Sequence, residues 1–194
     1  MSFESYAALT DSLAGWMKRK DQRERIPDFI ALFESRMNRV LRTSMQRRIA
    51  PLTVYAGAAV LPEDFLKPIA VDDGKHGLTF MTTLQFGPTQ VESGRYALEG
   101  GMIRVSGTTA TVNLRYFARI PALSATNQTN WVLNWHPDAY LFGALTEAEP
   151  YLLNDARMEM WKARGDAAIQ GIQLADDEAQ YAGATLTIGA AHAG

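Results

Sequence analysis

The hydrophobic periodicity of this chain changes twice, and that constrains its fold more than any single motif. Tyr6, Leu9, Leu13 and Trp16 fall at offsets 0, 3, 7 and 10, one face of a 3.6-residue helix. A polar stretch from Lys18 to Arg25 predicts a turn. Ile26, Phe29, Ile30, Phe33, Met37 and Val40 then form a broad apolar stripe at offsets 0, 3, 4, 7, 11 and 14. Pro27 suits a first helical turn, because its missing N–H would be unpaired there anyway, and Asp28 complements the positive end of the helix dipole. This helix is expected to end between Thr43 and Arg48, before Pro51.

From about residue 49 to 120 the helical spacing disappears, and proline, glycine and β-branched residues take over. Leu52 to Tyr55 and Ala58 to Leu61 flank Ala56-Gly57 and read as a small hairpin. Gly100-Gly101 separates Arg95–Glu99 from Met102–Ser106 and supplies the positive φ that a tight hairpin turn needs. Thr111 to Tyr116 alternates polar and apolar residues, the mark of a strand with one buried face and one wet face. Leu78 to Phe86 is a further candidate. The region is expected to hold five to seven short antiparallel strands in a small sandwich or barrel-like sheet.

Helical spacing resumes after a linker rich in Ser, Thr, Asn and Ala, Pro121 to Asn130. Pro137-Asp138 repeats the earlier start signal, and Tyr140, Leu141, Ala144, Leu145 and Ala148 follow. Pro150 should kink or end that helix. A last helix is expected from Asp155 to Gln180, with Met158, Trp161, Ala168, Ile169, Ile172 and Ala175 on one face. Gly165 and Gly171 each cost about 1 kcal/mol relative to alanine in a helix interior, so either the helix breaks or a neighbour packs very close. The expected fold is therefore α+β. Residues 1–48 and 131–194 form an antiparallel bundle of about four helices, and 49–130 hold an inserted small antiparallel β-domain and linker.

Composition removes many chemistries. The 194 residues contain no cysteine, which excludes disulfides, thiolate zinc sites, iron–sulfur clusters and cysteine nucleophiles. His76, His136 and His192 are far apart and lack metal-ligand spacing. No Gly-x-Ser-x-Gly elbow or Walker-type loop is present. The carboxylate groups Glu63-Asp64, Asp72-Asp73 and Asp176-Asp177-Glu178 read as turn and helix-end charge, and Glu147 and Glu149 as salt-bridged helix surface. We predict no catalytic residues, metal or cofactor. No apolar run approaches the ~20 residues of a membrane span. The opening Met1-Ser2-Phe3-Glu4 shows no basic segment before an apolar core, so the expectation is a chain without a signal peptide, made in the cytoplasm.

The net charge of −2 hides a strong asymmetry. Residues 18–48 hold ten basic and four acidic residues, a balance of +6, whereas 147–194 hold three basic and eight acidic, a balance of −5. Arg25, Arg36, Arg39 and Arg42 project to one side of the apolar stripe of the second helix. Three readings of them stand: a solvated face, pairing with acidic groups of the last helix or another subunit, and contact with DNA phosphates. Trp131, Trp135, Tyr140 and Trp161 read as aromatic anchors of the helical core, with an interface role as the second reading for Trp131 or Trp135.

The third block carries a resemblance. Thr129-Asn130-Trp131, Pro137-Asp138-Ala139-Tyr140-Leu141-Phe142-Gly143-Ala144-Leu145, Glu147-Ala148, Pro150-Tyr151-Leu152, Asp155-Ala156-Arg157, Trp161 and Ala168-Ile169 to Ile172 resemble tailed-phage head-to-tail adaptor (connector) proteins. Tyr116 to Ser124, Leu61 to Phe65 and the pattern Phe33–Arg42 are similar to the same proteins. Trp131, Pro137, Asp138, Tyr140, Leu141 and Trp161 match the family pattern as structural residues.

The resemblance implies a structural virion protein, not an enzyme. It implies a homo-oligomeric ring, usually twelve-fold, at the head–tail neck of the virion. That ring would join the portal protein to tail or nozzle proteins and line part of the DNA channel, meeting DNA non-specifically, with no membrane partner. Extended C-terminal arms in related connectors dock on the portal, which makes Ala182, Thr185, Leu186 and Ile188 candidate docking residues here. The charge asymmetry suggests an inter-subunit interface in which Arg36, Arg39 and Arg42 meet Asp176, Asp177 and Glu178 of a neighbour. A tail-associated cell-wall hydrolase and a ligand-binding β module are the alternatives.

Overall fold

A computed structural model describes residues 4–18, 20–86, 93–107, 110–148, 151 and 157–182. Residues 45–121 form one compact unit, and the chain on either side of them forms the other. The described helices are α1 (Tyr6–Met17), α2 (Ile26–Val40), α3 (Trp131–Trp135), α4 (Pro137–Glu147) and α5 (Met158–Tyr181). The strands are β1 (Arg47–Thr53), β2 (Ala58–Val60), β3 (Phe65–Asp72), β4 (Thr79–Phe80), β5 (Arg95–Glu99), β6 (Met102–Val105) and β7 (Thr111–Ala118).

In the helical unit the two N-terminal helices follow their apolar stripes. The Ser5 side chain caps α1 by accepting the Ala8 N–H at 3.1 Å, and Leu9, Leu13 and Met17 are buried. On α2, Pro27 stands in the first turn, and Ile26, Phe29, Ile30, Phe33 and Met37 are buried. Val40, in the last turn, is exposed although its offset places it on the stripe.

The third block departs from the expected bundle. His136 (φ −135°, ψ 58°) breaks the helix, so α3 is a five-residue piece and Pro137 starts α4 afresh. Every residue of α4 from Ala139 to Leu145 is buried. A helix that is apolar all round belongs in an interior, and α1, α2, α3 and α5 all pack on α4. α5 runs unbroken through both glycines. At Gly165 a Cβ would lie 3.3 Å from the backbone nitrogen of Gly143, and at Gly143 it would lie 2.0 Å from the Phe33 ring. These two glycines let α4 and α5, and α4 and α2, approach closely. Gly171 has nothing within 4 Å of its Cβ position. Pro150 and Asp155 lie outside the described residues.

The β unit contains two sheets, a three-stranded one ordered β1-β7-β3 and a four-stranded one ordered β2-β6-β5-β4. Val71, Tyr96, Ile103, Val112, Leu114 and Tyr116 are buried in its core. Pro51 and Pro68 stand in β1 and β3, the edge strands of the first sheet, where a missing donor costs no ladder bond. Gly100 and Gly101, at φ 57° and 80°, turn β5 into β6.

The expected hairpin around Ala56-Gly57 is reduced to one bridge between Tyr55 and Ala58. Its flanking strands pair elsewhere, β1 with β7 and β2 with β6. The strands are not all antiparallel either, because β4 pairs with β5 in parallel. The fold expectation is corrected accordingly. The chain is mixed α+β with five described helices and two sheets, and it is not dominated by a four-helix bundle. The β region builds a core of its own, and the helices surround α4 in place of sharing one bundle seam.

Candidate functional site

The charged helix faces meet partly within one chain. Arg36 is mostly buried, and its Nε lies 3.3 Å from Glu147 Oε1. Its Nη1 lies 3.4 Å from Asp166 Oδ1, which binds α2 to α4 and α5. Among the described residues, Arg36 Nε and Nη2 are nevertheless buried without hydrogen-bond geometry to a partner, so the Glu147 contact is an ion pair only. Arg42 turns its guanidinium back on the end of α2, where Nη1 donates to the carbonyls of Asn38 at 2.9 Å and of Leu41. Its own N–H donates to Gln173 Oε1 at 3.0 Å. Arg39 is exposed, 3.2 Å from the Ser35 hydroxyl.

On the acidic side, Asp176 accepts from the Ser44 N–H at 2.9 Å and from the Ser44 hydroxyl and Gln180. Asp177 accepts from Gln173 Nε2 at 3.0 Å on its own helix, and Glu178 is exposed. The structure thus brings Asp176 to the end of α2, but it joins none of the three arginines to Asp176, Asp177 or Glu178 through their side chains.

The family-pattern residues are placed as follows. Trp131 is half-buried at the start of α3, Pro137 and Asp138 open α4, and Leu141 and Trp161 are buried. The Arg157 guanidinium lies 4.7 Å over the Trp161 ring. Trp135 is 61% exposed, so the core reading fails for that anchor.

Tyr140 belongs to a buried polar network that periodicity did not reveal. Its hydroxyl donates to Glu34 Oε1 at 2.9 Å and accepts from Asn130 Nδ2 at 2.6 Å. Glu34 Oε1 also accepts the Leu123 N–H at 2.8 Å, and Asn130 Oδ1 caps α3 by accepting the Leu133 N–H at 2.9 Å. Burial raises the Glu34 carboxyl above its ordinary value, against the lowering effect of its two donors. Burial and the neighbouring Glu34 charge hold the Tyr140 hydroxyl protonated. The available signal was a lone acid, Glu34, inside an otherwise apolar stripe.

A groove of about 530 Å³ opens on the helical unit between the start of α4 and the middle of α5. His136, Asp138 and Phe142 form one wall, and Arg164, Ala168 and Gly171 stand on the other. The Arg164 guanidinium lies 5.2 Å over the Phe142 ring. Gly171 lines the groove with open space at its missing side chain.

The carboxylate pairs of the β unit serve turns and strand contacts. Asp73 accepts the N–H groups of Lys75 and His76, and Asp72 accepts those of Gly74 and Asn113, which lowers both carboxyls. Asp64 accepts the Tyr116 hydroxyl at 2.8 Å, and burial together with that bond pushes this tyrosine up to about 12. Among the described residues no group of acids and histidines could hold a metal ion, and no helix is long and apolar enough to cross a membrane. Of the candidate docking residues, Ala182 ends α5, with its N–H donating to the Glu178 carbonyl at 2.8 Å. Thr185, Leu186 and Ile188 lie outside the described residues.

The chain is matched by the model of a known family. The family model described as SU10 adaptor protein matches residues 5–188, which include the whole β unit and all five described helices. No curated protein matches the chain.

Proposed function

This chain belongs to the SU10 adaptor protein family, and on that premise we propose that it forms an adaptor ring joining the portal of a phage head to the tail. As a phage adaptor it is a virion component that associates with other virion proteins. The finer reading is a structural, non-enzymatic ring at the neck, twelve-fold as in most connectors. Its partners are the portal protein on one side and tail or nozzle proteins on the other, and part of it lines the DNA channel. The observation that carries this reading is the family match over residues 5–188.

Within the proposed inter-subunit set, Arg36, Arg42, Asp176 and Asp177 also hold contacts inside their own chain, and the exposure of Arg39 and Glu178 supports a neighbour-facing reading for those two. Ala182, Thr185, Leu186 and Ile188 remain the proposed portal-docking segment. The test is to mix the chain with the cognate portal ring and image the product by electron microscopy. A second ring stacked on the portal is expected, and portal rings that stay bare would overturn the reading.

A further inference from the structure

The outward face of the β1-β7-β3 sheet is unlike an ordinary wet strand surface. In β7 and its continuation the burial pattern alternates strictly, so Thr111, Asn113, Arg115, Phe117 and Arg119 all point outward. Arg47 pairs with Phe117 from β1, and Lys67 pairs with it from β3. The Arg47 guanidinium stands 6.0 Å from the Phe117 ring centre. Four cations therefore surround one aromatic ring, and the acid on this face, Asp72, lies 3.9 Å from Arg115.

Ile49, opposite Arg115 in β1, is 67% exposed. Ile69, in the irregularity of β3, is 44% exposed. Exposed isoleucines gain nothing from phosphate. An apolar centre ringed by arginine and lysine suits a protein surface whose own apolar side chains are ringed by carboxylates.

The chain itself presents such a surface. Leu174, Asp177, Glu178 and Tyr181 lie at offsets 0, 3, 4 and 7 on α5, one helical face. That face points away from the buried Trp161, Ile169 and Ile172. Leu174 and Tyr181 are 61% and 76% exposed, and no Lys or Arg follows Arg164 in the helix. Toward its N-terminus the same stripe passes through Gly171 and Ala167, which line the groove against α4.

We propose that the outward face of the β1-β7-β3 sheet binds the acidic stripe at the end of α5 from a second copy of the chain. The two surfaces are different patches, so the contact is head-to-tail. Such a contact generates a closed ring or an open filament according to its rotation. The inference deepens the ring reading above and rests on it for closure, while the pairing itself rests on the charge and apolar match. Ile49, Ile69 and Phe117 meet Leu174 and Tyr181, and the four cations surround Asp177 and Glu178.

The test uses two charge reversals in the full chain, K67E/R115E on the sheet and D177R/E178R on the helix. Thermal melts check folding, and sedimentation measures self-association. The wild type is expected to associate in a concentration- and salt-dependent way. Each reversal should weaken this by about tenfold or more, since like charges facing across an interface are strongly unfavourable. Combining the two reversals in one chain, or mixing the two reversed chains, should restore association. Restoration by mixing separates contact between copies from closure within one chain.

A wild type that stays monomeric at every soluble concentration overturns the proposal, as do reversals that leave association unchanged or a combined variant that fails to recover it. A sheet reversal that lowers only the retention of duplex DNA would assign the face to nucleic acid and overturn it too. Portal binding, measured separately, isolates the larger reading. Bare portals with charge rescue intact count against the adaptor ring, and portal binding with unchanged self-association counts against this interface.

Discussion

The Tyr140 hydroxyl donates to the Glu34 carboxylate across 2.9 Å, linking residues 106 apart in sequence inside the helical unit. The same carboxylate oxygen takes the Leu123 N–H, so it ties α2, α4 and the stretch after the β unit to one point. A charged group here must forgo hydration, which is why burial is the largest influence on its titration and moves it upward from 4.5.

The sign of the resulting pH dependence follows from linkage. Between pH 4.5 and the higher folded-state value, the folded chain holds a proton that the unfolded chain has released. The stabilising contribution of Glu34 is full below pH 4.5 and is lost as the pH rises through the folded-state value. Glu34→Gln keeps an acceptor for both donors and removes the charge. It should remain within about 1 kcal/mol of the wild type at neutral pH or exceed it, since no buried charge is left. The stability difference between the two proteins should change across this window in thermal melts. Glu34→Ala leaves both donors unsatisfied and should cost about 2–5 kcal/mol at any pH. A parallel pH profile for wild type and Glu34→Gln would refute the assignment.

The three helix glycines should respond differently to alanine. Gly143→Ala drives a methyl to 2.0 Å from the Phe33 ring, and Gly165→Ala places one 3.3 Å from backbone atoms of α4. Overpacking of this kind costs about 1–3 kcal/mol or more, with Gly143 the worse of the two because the ring is itself fully buried. Gly171→Ala meets nothing within 4 Å and should gain about 1 kcal/mol from helix propensity. Urea denaturation of the three variants checks the order, and a destabilised Gly171→Ala would contradict the open space seen there.

The arginines of α2 should also separate. Arg36, itself mostly buried, pairs with the largely buried Glu147 and the half-exposed Asp166, so Arg36→Ala leaves chiefly Glu147 uncompensated and should destabilise the helical unit by about 1–3 kcal/mol. Arg39 is exposed, and Arg39→Ala should change stability by less than about 0.5 kcal/mol. Chemical denaturation monitored by circular dichroism decides between this difference and equal effects at the two sites.

Much of the local structure was legible. The stripe from Ile26 to Met37, the Pro27-Asp28 start, the alternation of Thr111 to Tyr116 and the Gly100-Gly101 turn each express a constraint acting over a few residues. The residues that pattern like a tailed-phage adaptor lie within the span matched by that family. The misses share a cause as well. β1 pairs with β7 across more than half of the β unit, and β2 with β6, and nothing in Ala58–Val60 says which edge it will meet. Val40 has the right offset for burial but, in the last turn of its helix, stays 54% exposed.

By itself, the sequence determined where the chain is helical and where it is extended, because periodicity records which face of each segment leaves water. It also determined the charge asymmetry and the family. Tertiary structure decided which charges are paired inside one chain and which stay on its surface. Arg36 and Asp166 meet because Gly143 and Gly165 let three helices close on one another, while Leu174, Asp177, Glu178 and Tyr181 stay outside because α5 turns its other face to α4. Pairing between groups more than a hundred residues apart depends on how helices and strands pack, and local spacing carries no record of that packing.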